Sequence, residues 1–180
     1  TTTGTQTYSG SVTLSGGNRI LEGTTVATAA LNGGSSNLTI TGILDLNGAI
    51  TSTAVLSVSG ASNLGANVTT TGTQTYSGAV TLSGDQRTLQ GSIITTQGTL
   101  AGGNQNLIIT GNAVFGNGTG DTVTGVGTLN ITGNTTIHTN TITTSGTQIY
   151  GNATSDTIVI GTATTLTTTN SQITFKGLVD

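Results

Sequence analysis

Long internal repeats run through this chain of 180 residues. Residues 4–14 read GTQTYSGSVTL, residues 72–82 read GTQTYSGAVTL, and a shorter third copy, GTQIYGNAT, begins at Gly146. A second pair of segments follows in the same phase, LNGGSSNLTITG from Leu31 and LAGGNQNLIITG from Leu100. Self-similarity at a fixed period is typical of solenoids and other repeat architectures, in which each unit packs on its neighbours.

The repeats indicate one continuous segment over residues 1–180. The long repeats cover residues 4–71, residues 72–145 and, in part, residues 146–180. The first four residues read TTTG, as residues 69–72 do, so the phase is already set at Thr1. We therefore expect this chain to be a section of a longer array.

A shorter unit lies inside each long repeat. It has two apolar residues separated by one position, then a polar residue and usually Gly. This alternation puts both apolar side chains on one face of a β-strand and Ser or Thr on the other. The copies begin at Val12, Leu38, Leu56, Val80, Leu107, Leu129, Ile158 and Ile173. Their mean spacing of about 23 residues suits one coil of a parallel β-helix. The pattern predicts an all-β solenoid of about eight such coils, about three to each long repeat.

The physics of stacking favours this architecture. One short strand cannot bury its apolar face alone, whereas coils stacked about 4.8 Å apart bury a continuous ladder and pair the backbone groups. The Gly after each strand predicts a corner with positive φ, which Gly adopts without a Cβ penalty. A string of immunoglobulin-like sandwiches with ~70-residue repeats is the rival architecture. The absence of Pro and Trp argues against those sandwiches.

Composition excludes several function classes. Charged residues make up 5% of the chain, where an ordinary soluble domain has about 25%. Three basic residues cannot form a nucleic-acid footprint or a polybasic membrane patch, and no apolar run approaches the ~20 residues of a membrane span. The lack of Cys rules out disulfides and thiolate metal sites. We predict no nucleic-acid partner, no membrane insertion, no cofactor and no metal site.

Two segments resemble the repeats of filamentous-haemagglutinin-like bacterial adhesins and exoproteins. They are TTTGTQTYSGAVTL at residues 69–82 and TTLTTTNSQITFKGLVD at residues 164–180. The resemblance implies a right-handed parallel β-helix. It also implies a secreted, cell-surface or extracellular-filament role.

The titratable residues do not form a sequence motif for catalysis. Glycoside hydrolysis needs a pair of carboxylates in a defined geometry, but the acids here are isolated in sequence. They are Glu22, Asp45, Asp85, Asp121, Asp156 and Asp180. His138 is the single histidine, and a nucleophile or zinc site would need partners beside it. We predict that the protein is not an enzyme and assign no catalytic residue.

Three other sets of residues recur. Arg19 and Arg87 are equivalent, and we expect each stem to cover apolar surface while its head reaches solvent or a corner carbonyl. A tyrosine at the same point of each long repeat is a candidate contact between rods: Tyr8, Tyr76 and Tyr150. Asn-x-Thr sequons, candidate glycosylation sites, occur at Asn37, Asn67, Asn117, Asn130, Asn134 and Asn152.

These features favour a structural role. We expect an extracellular shaft of a bacterial adhesin or a self-assembling surface filament, active in cell adhesion or the biofilm matrix. Its partners would be further copies, associating end to end or laterally, and surface glycans of host or neighbouring cells. One alternative is a solenoid module that binds ice or carbohydrate through Thr-x-Thr rows. A β-helical polysaccharide-degrading enzyme is the least favoured.

Overall fold

The computed structural model describes residues 1–118 and 120–180, which form one parallel sheet wound into a solenoid. No helix that could cross a membrane is found in these residues. The strands are β1 (Gln6–Tyr8), β2 (Val12–Thr13), β3 (Arg19–Thr28), β4 (Leu31–Asn32), β5 (Leu38–Leu46), β6 (Ile50–Thr53), β7 (Leu56–Val58), β8 (Ser62–Leu64), β9 (Val68–Thr70), β10 (Gln74–Tyr76), β11 (Val80–Leu82), β12 (Arg87–Thr96), β13 (Leu100–Ala101), β14 (Leu107–Phe115), β15 (Thr122–Val126), β16 (Leu129–Ile131), β17 (Thr135–Ile137), β18 (Thr141–Thr144), β19 (Gln148–Tyr150), β20 (Thr157–Ile160), β21 (Thr165–Thr168), β22 (Ile173–Phe175) and β23 (Leu178–Val179).

Each turn has three strand segments, so the rod has three faces. Face 1 begins with β1, face 2 with β2, and face 3 with the first half of β3. Strands β3, β5, β12 and β14 each bend around an edge and contribute one segment to face 3 and one to a neighbouring face. Each face therefore stacks nine segments. At about 4.8 Å per turn, nine turns make a rod about 43 Å long.

The predicted parallel β-helix is confirmed, but its turns are shorter and more numerous than eight coils of 23 residues. Register partners in successive turns are 18 to 25 residues apart. The sequence estimate assumed one apolar-x-apolar unit per coil. In the structure, copies of that unit lie on all three faces: Val80–Leu82 on face 1, Leu129–Ile131 on face 2 and Leu56–Val58 on face 3. The unit therefore marks a strand and not a turn.

Strict alternation forms the core. In β5, Leu38 and Ile40 are fully buried while Thr39 between them is half-buried. Thirty apolar side chains of this kind form one continuous cluster along the axis. The more exposed large apolar residues are Ile20, Ile43, Ile93, Phe175, Leu178 and Val179.

The long repeat is out of phase with the turn. Tyr8 lies on face 1, Tyr76 on face 3 and Tyr150 on face 2. Successive copies are eleven strand segments apart, which is three and two-thirds turns of a three-segment solenoid. Each copy is therefore rotated by one face relative to the copy before it, and a long repeat spans three and two-thirds turns where about three were expected.

Glycines at the edges serve two different purposes. Gly42 and Gly111 have φ of 123° and 129°, as the corner prediction required. Gly60 does not have positive φ. A Cβ on Gly60 would lie 2.6 Å from the carbonyl carbon of Gly42 in the turn below. Close stacking at the edge, and not φ alone, therefore excludes side chains there.

Candidate functional surfaces

The Gln-x-Tyr segment of the long repeat forms a brace inside the solenoid. Gln74 is fully buried, and its Nε2 donates to the carbonyl oxygens of Val68 at 3.2 Å and Gln90 at 2.7 Å. Its Oε1 accepts from the hydroxyl of Tyr76 at 3.0 Å. One side chain thus joins the preceding strand to the following turn and satisfies a buried phenol, as buried polar groups require.

The other copies repeat this brace at different edges. Gln148 is also fully buried, and its Nε2 donates to the carbonyls of Ile142 and Thr167 at 3.3 and 2.8 Å. The Tyr150 hydroxyl donates to its Oε1 at 2.8 Å. In the first turn, Gln6 accepts from Tyr8 at 2.9 Å, but both side chains are half-buried.

Tyr76 and Tyr150 are therefore not the predicted contacts between rods. Tyr76 and Tyr150 have no exposed surface, and the Tyr150 ring stacks on Phe175 with centroids 5.2 Å apart. Burial raises the pKa of both hydroxyls well above the ordinary value. Tyr8 packs against the core in the first turn. The prediction was wrong for Tyr76 and Tyr150, because a residue that recurs once per long repeat was taken to face outward, and it stays a prediction for the half-buried Tyr8.

Arg19 and Arg87 behave as predicted, since each guanidinium caps corner carbonyls. Arg87 is 8% exposed, and its Nε donates to the carbonyls of Ser83 at 2.8 Å and Leu64 at 3.1 Å. Arg19 donates to the carbonyl of Asn18 at 3.0 Å. Both side chains bond carbonyls of a longer corner, and Arg87 is largely buried by this arrangement while Arg19 is half-buried.

Asparagine side chains also bridge successive turns at the edges. The Oδ1 of Asn67 accepts the backbone N–H of Thr88 at 2.9 Å, and the Oδ1 of Asn134 accepts that of Thr157 at 2.9 Å. Asn18, Asn106 and Asn112 accept in the same way. Two of the six sequon residues are therefore part of the turn-to-turn bonding.

The remaining sequon residues lie in different settings. Asn37 and Asn130 are half-buried, while Asn117 and Asn152 are exposed in turns. The Asn117 sequon includes Thr119, which lies outside the described residues. Glycosylation of these residues stays a prediction.

Two segments share a sequence motif whose recurrence the sequence reasoning missed. Residues 116–121 read GNGTGD and residues 151–156 read GNATSD. The Oδ2 of the final Asp accepts a backbone N–H at the start of each turn, from Asn117 at 3.1 Å to Asp121 and from Asn152 at 2.7 Å to Asp156. The shared pattern Gly-Asn-x-Thr-x-Asp was the signal that could have identified both turns. These carboxylates hold the turns closed.

The remaining titratable residues are dispersed. Asp45 on face 1 accepts from the side-chain amides of Asn63 at 2.9 Å and Asn47 at 3.3 Å. His138 lies half-buried at the edge between faces 3 and 1, where its backbone N–H donates to Phe115 at 2.8 Å. Within residues 1–118 and 120–180, no three His, Cys, Asp or Glu side chains approach closely enough to hold a metal ion.

A shallow open groove runs along the edge between faces 2 and 3. It is lined by residues 69–71, residues 90–92, Thr110 and Gly111, none of which is titratable. The groove exists because Gly91 and Gly111 carry no side chains where successive turns meet. It offers hydroxyl and carbonyl groups but no acid, base or nucleophile pair.

Three turns of face 1 present threonines in register. Thr122, Thr141 and Thr165 are register partners in successive turns, and Thr143 is paired with Thr167. Thr124 follows Thr122 on β15 but has no register partner on β18, because the register shifts between Val123 and Val126, so the array of Thr-x-Thr pairs is fully aligned over β18 and β21. The sequence alone did not indicate this alignment because the turns differ in length.

The comparisons with known proteins assign no family. No protein-family model, no curated protein and no solved structure matches the chain.

Proposed function

We propose that this chain is a structural β-solenoid shaft of a bacterial adhesin or a self-assembling surface filament, outside the cell. The observation that carries the proposal is the use of the recurring polar side chains. Gln74, Gln148 and Arg87 are buried and bonded to backbone carbonyls of neighbouring turns. The polar residues that recur in the long repeats therefore bond successive turns to each other. This is expected of a protein whose role depends on its length and stiffness.

Immunogold electron microscopy of the native source, with antibodies raised against residues 1–180, tests this proposal. We expect label along thin extracellular stalks or fibrils. Serum depleted with the purified chain is the control. Label confined to the cell interior would contradict the proposed location and role.

A surface-binding module is a second candidate, supported by the Thr-x-Thr array on face 1. Its hydroxyls form a grid with about 4.8 Å between turns and about 6.6 Å along each strand. Such a flat grid suits a periodic partner such as ice or a crystalline polysaccharide. Thermal hysteresis or retention on the insoluble polysaccharide, lost in Thr143→Lys but kept in Thr51→Lys at an outward position of face 2, would favour this role.

We also expect no enzymatic activity. The dispersed acids and the uncharged groove support this expectation. Release of soluble sugars from a polysaccharide, abolished by one carboxylate substitution such as Asp45→Asn, would overturn it.

A further inference from the structure

One row of side chains on face 3 is distinct from the rest of the surface. Along this row, each residue is the register partner of the next, and every member points outward between two inward-facing neighbours. We name it the face 3 ladder, and its members are Ile20, Thr39, Ser57, Thr75, Thr95, Val114, Thr136 and Val159. All members except Ser57 are β-branched, which gives stiff side chains of similar height.

The face around this ladder is uncharged for most of its length. From the first half of β5 through β20, the face 3 segments contain no Asp, Glu, Lys, Arg or His. Face 1 carries Asp45 at an outward position. On face 2 the equivalent row includes Asn130 between Ile108 and Ile149, which mixes amides with apolar residues. Face 3 therefore has the flat, uncharged and β-branched character of surfaces that pack sheet against sheet.

We infer that face 3 is a lateral self-association surface that takes face 3 of a second copy of this chain. The period of the ladder selects the partner. Side chains about 4.8 Å apart along the axis can interdigitate over many turns only with another row of the same period. A second copy has that row, and the two sheets would pack about 10 Å apart.

The area that two face 3 surfaces would bury agrees with weak but specific association. Eight turns give a length of about 38 Å, and a flat width of about 15 Å gives about 570 Å² on each partner. The total of about 1,100 Å² just exceeds the ~1,000 Å² expected of a specific interface. Because the area grows with the number of turns, lateral association would strengthen in longer rods. This inference rests on the proposed structural role and names the surface and partner through which it works.

Sedimentation velocity of the full chain over a range of concentrations tests the inference. The test variant carries Thr75→Lys and Thr95→Lys, which place two charges at the centre of face 3. The matched control carries Thr81→Lys and Ala101→Lys at outward positions of face 1 in the same two turns. We expect wild type and control to self-associate alike and the test variant to associate at least tenfold more weakly. A Thr75→Val and Thr95→Val variant should keep the association.

Three outcomes overturn the inference. They are a monomeric wild type at every concentration, equal weakening by the test and control pairs, and association that neither pair alters, as in end-to-end stacking. Circular dichroism and thermal unfolding verify that all variants fold. A negative result here leaves the immunogold test of the shaft role unaffected, so the two proposals fail separately.

Discussion

At the scale of single residues, the buried glutamine side chains of this rod are bonded to backbone carbonyls. Gln74 satisfies both atoms of its amide and the hydroxyl of Tyr76 at once. Four other buried hydroxyls have no partner among the described residues: those of Ser62, Thr96, Thr135 and Thr139. The glutamine braces are therefore specific hydrogen-bonded arrangements, because other buried polar groups of the core are not bonded in this way.

Replacing Gln74 by Leu should destabilise the chain by about 2–4 kcal/mol, because the Tyr76 hydroxyl and the Gln90 carbonyl lose their buried partners. Urea unfolding followed by circular dichroism measures the loss. Gln6→Leu is the matched control, since the same side chain is half-buried in the first turn. It should cost less than about 1 kcal/mol. Equal losses would show that burial of the brace does not matter.

The buried phenols predict alkaline instability. Burial raises the pKa of Tyr76 and Tyr150, so above pH ~10 the unfolded chain loses protons that the folded chain keeps. Stability from these groups is therefore complete below that pH and lost as pH rises. Above pH ~10, each phenol should lower the free energy of unfolding by about 1.4 kcal/mol per pH unit. Urea midpoints at pH 8 to 11 test this, and a Tyr76→Phe and Tyr150→Phe variant should lose most of the pH dependence.

At the scale of the element, the edges determine how strands become turns. Six glycines stack along the edge between faces 3 and 1: Gly4, Gly23, Gly42, Gly60, Gly78 and Gly98. A Cβ on Gly42 would collide with the carbonyl oxygen of Gly23 in the turn below. Residue choice at an edge is thus dictated by the neighbouring turn as well as by local backbone.

Gly42→Ala should destabilise the chain by about 3 kcal/mol, because it combines positive φ with this collision. Gly10→Ala is the matched control, since a Cβ on Gly10 would meet nothing within 4 Å. It should change stability by less than about 0.5 kcal/mol. Thermal unfolding of both variants checks the difference. A tolerated Gly42→Ala would mean that the edge can shift to accept a methyl group.

At the scale of the whole molecule, all three faces accommodate the same segment of the long repeat. The same Gln-x-Tyr brace forms on face 1, face 3 and face 2 in turn. Identical copies are never stacked directly on one another, so a slipped strand does not find an equivalent partner one turn away. Separation of like sequences in this way favours a single register.

This equivalence predicts that one long repeat can be removed from the interior. Deletion of residues 32–100 joins Leu31 to Ala101 and removes eleven strand segments. The retained turns meet homologous neighbours, because Leu107 would stack on Arg19 where it now stacks on Arg87. We expect cooperative unfolding and a rod shorter by about 18 Å in small-angle scattering.

Deletion of residues 32–99 is the matched control for this excision. It leaves one extra residue in the joined strand, which reverses the inward and outward positions or forces a bulge. This variant should unfold at a lower temperature. If both deletions unfold alike, the phase of the long repeat has no structural meaning.

The sequence alone was sufficient for the fold class. Alternation as in Leu38–Ile40 predicts strands with one buried face, and the repeat requires that these strands stack. It also predicted the capping of corner carbonyls by Arg87. These features are local, because hydropathy, β-branching and the reach of one side chain determine them.

Only the tertiary structure decided the number of segments per turn, the rotation of each repeat by one face, and the inward position of Gln74 and Tyr76. Side-chain hydropathy does not fix those positions, since glutamine and tyrosine are stable outside or, when fully bonded, inside. Gln74 and Tyr76 stand at even-numbered positions, as the inward-facing Val80 and Leu82 do, and this was a signal that they face inward. A corner can, however, change which of the alternating positions face inward. The lengths of those corners are set by contacts with the turns above and below, and these contacts exist only after the chain has wound.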